Sequence, residues 1–261
     1  MPLVPRLFGA ASSGIPSFLP QASKQLKVLG VQDCYNLRCT PELSAFTQLK
    51  ILLLSDCYGL EHLHPSIGEL TSLVTLDLRY CRGLKELPEE VGGLKDLKVL
   101  LLDDSGITAI PSSIGSLRKL KTLHAFMCKS LREIPNSIGD LQNLQYLNLQ
   151  YTAIEKLPSA IGGLKNLQIL NLSYCRSLKG AIPSEIGDLP SLESLDLEWT
   201  RISDLPESVR NLSSLQSLNL WGCKELRSLP ELPSGLTCLS VTCQSLGLPQ
   251  LLCFIHLKTR S

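Results

Sequence analysis

Ten cysteines, four histidines and two tryptophans are the side chains of this 261-residue chain best equipped for chemistry, and their spacing decides which chemistry. No Cys-x-x-Cys pair occurs, which argues against a zinc centre. His62-x-His64 could offer two metal ligands, but His64 falls in the slot that holds Pro88 one period later, so it reads as a turn residue. His124 stands apart from other candidate ligands and reads as a surface residue. No Gly-x-x-x-x-Gly-Lys-Ser/Thr loop, Gly-x-Ser-x-Gly elbow or His-Glu-x-x-His pair is present. The expectation is therefore a protein that is not an enzyme, with no catalytic residues, no cofactor, no metal and no small-molecule substrate.

Six of the cysteines instead belong to a period. The pattern Leu-x-x-Leu-x-Leu starts at Leu26, Leu49, Leu73, Leu97, Leu120, Leu144, Leu167, Leu192, Leu215 and Leu236, with spacings of 21 to 25 residues. Val31, Val241 and Ala125 replace its third leucine. Residues two apart share one face of an extended chain, so the second and third leucines turn inward and the residues around them outward. Each copy ends in a stretch such as Leu87-Pro88-Glu89-Glu90-Val91-Gly92-Gly93-Leu94. Its proline suits the start of a short helical segment, and its glycine a tight return of the chain. One such coil cannot bury its own apolar side, so successive coils must stack. The pattern resembles leucine-rich repeats, and the expected fold is an α/β leucine-rich-repeat solenoid. It would be a horseshoe with a parallel concave β-sheet and short helical or irregular convex segments. The expected domains are a leader or degenerate end coil over 1–25, about ten repeats over 26–246, and a cap or tail over 247–261. Leu251 to Leu257 is apolar enough for such a cap.

Eight residues after the first leucine stand Cys34, Cys57, Cys81, Ser105, Cys128, Thr152, Cys175, Thr200 and Cys223. Many leucine-rich repeats carry asparagine there, bonded to the backbone of neighbouring coils; here Cys, Thr and Ser share the place. Cys is followed by x-x-Leu, Thr and Ser by x-Ile. The ladder cysteines are expected to be reduced, structural and inward, which fits a reducing compartment. A disulfide among Cys238, Cys243 and Cys253, or metal binding, is the alternative.

The formal charge of +1 gives no electrostatic case for nucleic acid. No apolar run is long enough to span a membrane. The first 21 residues carry no uninterrupted apolar core of a signal peptide, so a cytoplasmic, possibly nuclear, location is expected. The triplets Asn171-Leu172-Ser173 and Asn211-Leu212-Ser213 match glycosylation acceptors, but such triplets arise easily in this composition.

Aromatic residues make up only 5% of the chain, yet they gather in the last two outward columns of the repeats. Those columns hold Arg79, Tyr80, Asp103, Asp104, Phe126, Met127, Tyr151, Tyr174, Glu198, Trp199 and Trp221. Aromatic rings flanked by charges have the composition of protein-binding hot spots, so these residues are the expected site for binding a protein partner through the concave face of the sheet. The plainer explanation is the preference of any strand for aromatic residues.

The stretch Leu76-Asp77-Leu78-Arg79-Tyr80-Cys81-Arg82-Gly83-Leu84-Lys85-Glu86-Leu87-Pro88 resembles the repeat region of plant intracellular NLR immune receptors of the TIR type. So do the Thr-x-Ile coils at Thr152 and Thr200, and the stretch from Leu226 to Leu236. The likeness covers about residues 26–246 and implies recognition of a pathogen effector, another domain or a signalling protein. It does not extend to nucleotide binding, since no phosphate-binding loop precedes the repeats. A general scaffold of the plant Ras-group-related type, or a subunit presenting substrates to an enzyme, is the alternative. Leu178-Lys179-Gly180-Ala181-Ile182-Pro183 differs, resembling the Leu-x-Gly-x-Ile-Pro coils of plant extracellular receptors.

Overall fold

The structure, a computed structural model, describes residues 23–242. The expected leader over most of 1–25 and the cap over 247–261 lie outside the described residues, as do Cys243 and Cys253. The chain divides into two compact units at Leu131 and Arg132. In the first, β1 (Val28–Gly30), β2 (Ile51–Leu53), β3 (Thr75–Asp77), β4 (Val99–Leu101) and β5 (Thr122–His124) pair in parallel in chain order. In the second, β6 (Tyr146–Asn148), β7 (Ile169–Asn171), β9 (Ser194–Asp196), β11 (Ser217–Leu220) and β12 (Cys238–Val241) do the same.

The central leucine of each copy sets the register. Leu29, Leu52, Leu76, Leu100 and Leu123 lie side by side in the first unit. Leu147, Leu170, Leu195, Leu218 and Leu239 do so in the second. These leucines are buried, as is the last hydrophobic of each copy. Outward strand positions are less uniform than the alternation predicts. Asp77 is only 2% exposed, because Arg79 folds back on it, and Ser173 is buried on Asn171.

Opposite the strands, the seven coils from Leu49 to Leu192 each make a 3-10 segment of five residues, such as Glu89–Gly93, Ser112–Ser116, Ser159–Gly163 and Glu207–Asn211, whereas the described coils at Leu26 and Leu215 make only turns there. The proline sits one place before the segment, extended, with its carbonyl accepting the N–H three residues on, as in Val91 N to Pro88 O at 3.1 Å. In the one described segment that begins at its own proline, Pro65, His64 takes the preceding place. Its Nδ1 accepts the Ser66 N–H at 3.2 Å, so it is a capping turn residue.

The glycines of these segments serve closeness between coils rather than the turn expected of them. Their φ is not positive, but a Cβ on Gly187 would lie 2.4 Å from the Ser208 carbonyl oxygen, and one on Gly139 2.3 Å from that of Ala160.

The unusual coil at Leu178 forms β8 (Lys179–Ala181), which pairs in parallel with β10 (Arg201–Asp204). Gly180 there has φ +79° and open space around it.

Candidate functional site: an aromatic column on the turns

Each strand is followed by a turn whose geometry repeats. Asp33, Asp56, Tyr80, Asp104, Met127, Tyr151, Tyr174 and Trp199 all have left-handed backbone, with φ between 53 and 64°, and Gly222 takes the equivalent place at 78°. Side chains at the strand ends prepare the turn. Asp77, Asn148, Asn171, Asp196 and Asn219 each accept, through Oδ1, the backbone N–H two residues on, at 3.0 to 3.1 Å. In β5 that place is His124, and Asp103 of the adjacent coil supplies the carboxylate to Phe126 N at 2.9 Å. The left-handed residue then donates its own N–H to the next coil, as from Tyr80 to Asp103 O at 2.7 Å and from Trp199 to Trp221 O at 2.8 Å.

Beneath the turn lies the cysteine ladder. Each thiol donates to a carbonyl of the preceding coil: Cys57 to Val31 at 2.9 Å, Cys81 to Leu54 at 3.2 Å, Cys128 to Leu102 at 3.0 Å, Cys175 to Leu149 at 3.0 Å and Cys223 to Leu197 at 3.0 Å. Thr152 and Thr200 occupy the same column and touch the thiols of Cys175 and Cys223 at 3.2 and 3.3 Å. Burial pushes the Cys57 and Cys81 thiols up to about 12, and those of Cys128 and Cys175 to about 11. These are protonated thiols inside a stack, unsuited to nucleophilic work.

In the second unit the turn residues meet one another. Tyr151 stacks on Tyr174 with centroids 4.5 Å apart, Tyr174 faces Trp199 at 6.4 Å, and Trp221 meets Trp199 edge-on at 5.2 Å. The Trp199 indole lies against Gly222, and Lys224 Nζ sits 5.4 Å from the indole centroid. Tyr174 donates its phenol to Glu198 at 2.9 Å, which raises the phenol pKa, and Asn219 Nδ2 engages the other Glu198 oxygen at 3.1 Å. Desolvation pushes the Asp196 carboxyl up.

In the first unit half of the residues in the same columns are charged. Arg79 grips Asp77 through Nε at 2.9 Å and Nη2 at 2.7 Å, while Arg82 holds Asp104 at 2.5 Å. Asp103 stands 3.7 Å from His124 Nδ1. Tyr80 is exposed, while Phe126 and Met127 are half-buried on the next turns. Sequence reasoning passed over Tyr35 and Tyr58, which stack at 5.5 Å, with Arg82 5.6 Å from the Tyr58 centroid. Each directly follows a ladder cysteine, and that shared place was the available signal.

The structure thus places the eleven expected residues on the turns that leave the strands, not on the strands themselves. Tyr151, Tyr174, Glu198, Trp199 and Trp221 come together in one continuous ladder, while Arg79, Tyr80, Asp103, Asp104, Phe126 and Met127 share the turn columns of the first unit. A strand's taste for aromatics cannot account for rings at left-handed positions, which disfavour bulky residues. Among the described residues no group of histidine, cysteine and acidic side chains is arranged to hold a metal ion, and no helix is long and apolar enough to cross a membrane.

Comparison with curated proteins finds no match. Among solved structures the chain is similar to the leucine-rich repeat domain of the type III effector XopL, at 26% identity and TM-score 0.61, over 87% of this chain and 72% of that one. It is similar to a TDR receptor at 26% identity and TM-score 0.52, over 83% of this chain and 44% of that one. The Arabidopsis receptor kinase HAESA, solved with the peptide hormone IDA and the co-receptor SERK1, shares the fold at 23% identity and TM-score 0.57; this chain covers 41% of it and matches over 83% of its own length. The family described as leucine-rich repeat region matches residues 25–132 and 125–198, most of the stack described above. The chain belongs to the leucine-rich repeat family.

Proposed function

We propose that this chain is a non-enzymatic recognition module of plant-type innate immunity that binds a protein partner through the aromatic turn column. One observation carries the reading. Tyr151, Tyr174 and Trp199 sit at left-handed positions in consecutive coils, each disfavoured by about 1–2 kcal/mol, although small polar residues would fit the same turn more easily. Packing of the core does not ask for rings there, since the buried leucines lie behind the turn. Stacked aromatics on a rigid backbone offer contact area with little ordering penalty, which suits a protein interface.

The immune setting rests on the likeness of the Leu76 to Pro88 stretch and the Thr-x-Ile coils to plant NLR repeats. Buried, protonated thiols in the ladder support a reducing compartment, the cytoplasm or the nucleus. The partner is a pathogen effector or another domain or protein of the signalling chain.

A pull-down from plant extract with intact protein and with the Trp199→Ala/Trp221→Ala variant tests the reading. The variant should lose the captured partner while keeping its circular dichroism spectrum and a cooperative melt. Equal capture by both would end it.

A further inference from the structure

The second unit carries a cleft of about 300 Å³ beside the aromatic column, and its lining is not neutral. Trp199 and Gly222 form one wall, and Arg176, Arg201, Lys224 and Glu225 surround it. Three cations thus face one carboxylate. Glu225 Oε1 already accepts Arg201 Nε at 2.7 Å, so its charge is spent within the cleft. The neighbouring Glu198 has both oxygens engaged, by Tyr174 and Asn219. Lys224 is held over the indole face at 5.4 Å, and Arg176 stands exposed on the turn one coil earlier. Trp221, 43% exposed, meets Trp199 edge-on at 5.2 Å and offers an apolar surface beside that wall.

We propose that this cleft receives an aspartate or glutamate side chain from an acidic segment of the partner, between Arg176 and Lys224, with an adjoining apolar residue on Trp221. The proposal rests on the protein-recognition reading and adds the chemistry of what is recognised. Charge complementarity selects the occupant: the net charge of the lining is two positive, and Lys224 stands over a ring that excludes water from one side. A partner carboxylate there completes an arrangement that Glu225 only half satisfies.

Trp199 lines this cleft and the chain's other tryptophan, Trp221, packs against it edge-on, so intrinsic fluorescence reports on the cleft. The probe is the capped peptide acetyl-Leu-Glu-Asp-Glu-Leu-amide, with acetyl-Leu-Gln-Asn-Gln-Leu-amide as its uncharged counterpart. The acidic peptide should bind saturably with Kd below about 1 mM, and the uncharged one about tenfold more weakly or not at all. Arg176→Ala/Lys224→Ala should weaken the acidic peptide about tenfold, and Glu225→Gln should tighten it by about twofold. Equal binding of the two peptides, indifference to these substitutions, or absence of acidic-peptide binding would overturn the proposal. So would equal binding of a Leu-Gln-Asn-Gln-Leu peptide with an uncapped C-terminus, which would make a chain terminus the ligand. If Trp199→Ala/Trp221→Ala loses the protein partner while Arg176→Ala/Lys224→Ala keeps it, the recognition reading survives and this one falls. Retention of the partner by both variants removes both readings.

Discussion

The indole of Trp199 lies flat against the backbone of Gly222, so closely that a Cβ at 222 would come within 2.7 Å of a ring carbon. The glycine's φ of 78° continues the left-handed column, but here the missing side chain makes room for the ring of the coil before. Trp199, Gly222 and the edge-on Trp221 therefore form one packed unit.

Gly222→Ala should displace the Trp199 ring and strain the turn. The expected destabilisation is about 1–2 kcal/mol, read by urea unfolding, with a change in tryptophan emission. Unaltered emission and stability would mean the ring is not seated there.

Gly187→Ala should be worse tolerated than an alanine at the open Gly180. The first brings a methyl to 2.4 Å from the Ser208 carbonyl and forces two coils apart, at a cost of about 1–3 kcal/mol. The second meets nothing within 4 Å and carries only the penalty of its positive φ. Thermal melts of the pair give the comparison, and a reversed order would contradict the packing role.

Cys81→Ala should lower stability by about 1–3 kcal/mol, through the lost sulfur volume and the lost bond to the Leu54 carbonyl. Chemical denaturation of the variant measures this. A neutral outcome would show that the ladder bonds contribute nothing.

Because burial raises the thiol pKa values, the folded state disfavours thiolate. The sign follows: this contribution is whole below the ordinary thiol value of 9.0 and is lost as pH climbs toward about 11 for Cys128 and Cys175 and about 12 for Cys57 and Cys81. Stability should fall between pH 9 and 12 in a circular dichroism titration. At pH 8, iodoacetamide should modify exposed Cys39 while these four stay unmodified until urea is added, as peptide mapping would register. Rapid native labelling of Cys175 would refute the burial.

The stack was legible in the sequence because it rests on a one-dimensional cue: leucines at fixed spacing can only be buried if coils superpose. The Cys, Thr and Ser column was legible for the same reason, but only its cysteines bond the backbone of the preceding coil as expected, while Thr152 and Thr200 donate to Leu149 and Leu197 of their own coils. What escaped notice was backbone conformation. Tyr80 and Trp199 look like strand residues in an alternating pattern, and only the Asp77, Asn148, Asn171, Asp196 and Asn219 caps reveal that the chain has already turned. Those caps are visible as a column of Asp and Asn, but a side chain's bond to an amide two residues on leaves no mark in spacing. The glycines misled similarly, because their constraint comes from Ser208 or Ala160, more than twenty residues away in sequence.

The left-handed position separates what holds the molecule together from what it can touch. At Tyr80, Tyr151, Tyr174 and Trp199 the main chain is fastened by a cap on one side and by the adjacent coil on the other, whichever ring it bears. Substitutions there change the side chains that face solvent one coil at a time, while the buried leucines behind stay untouched.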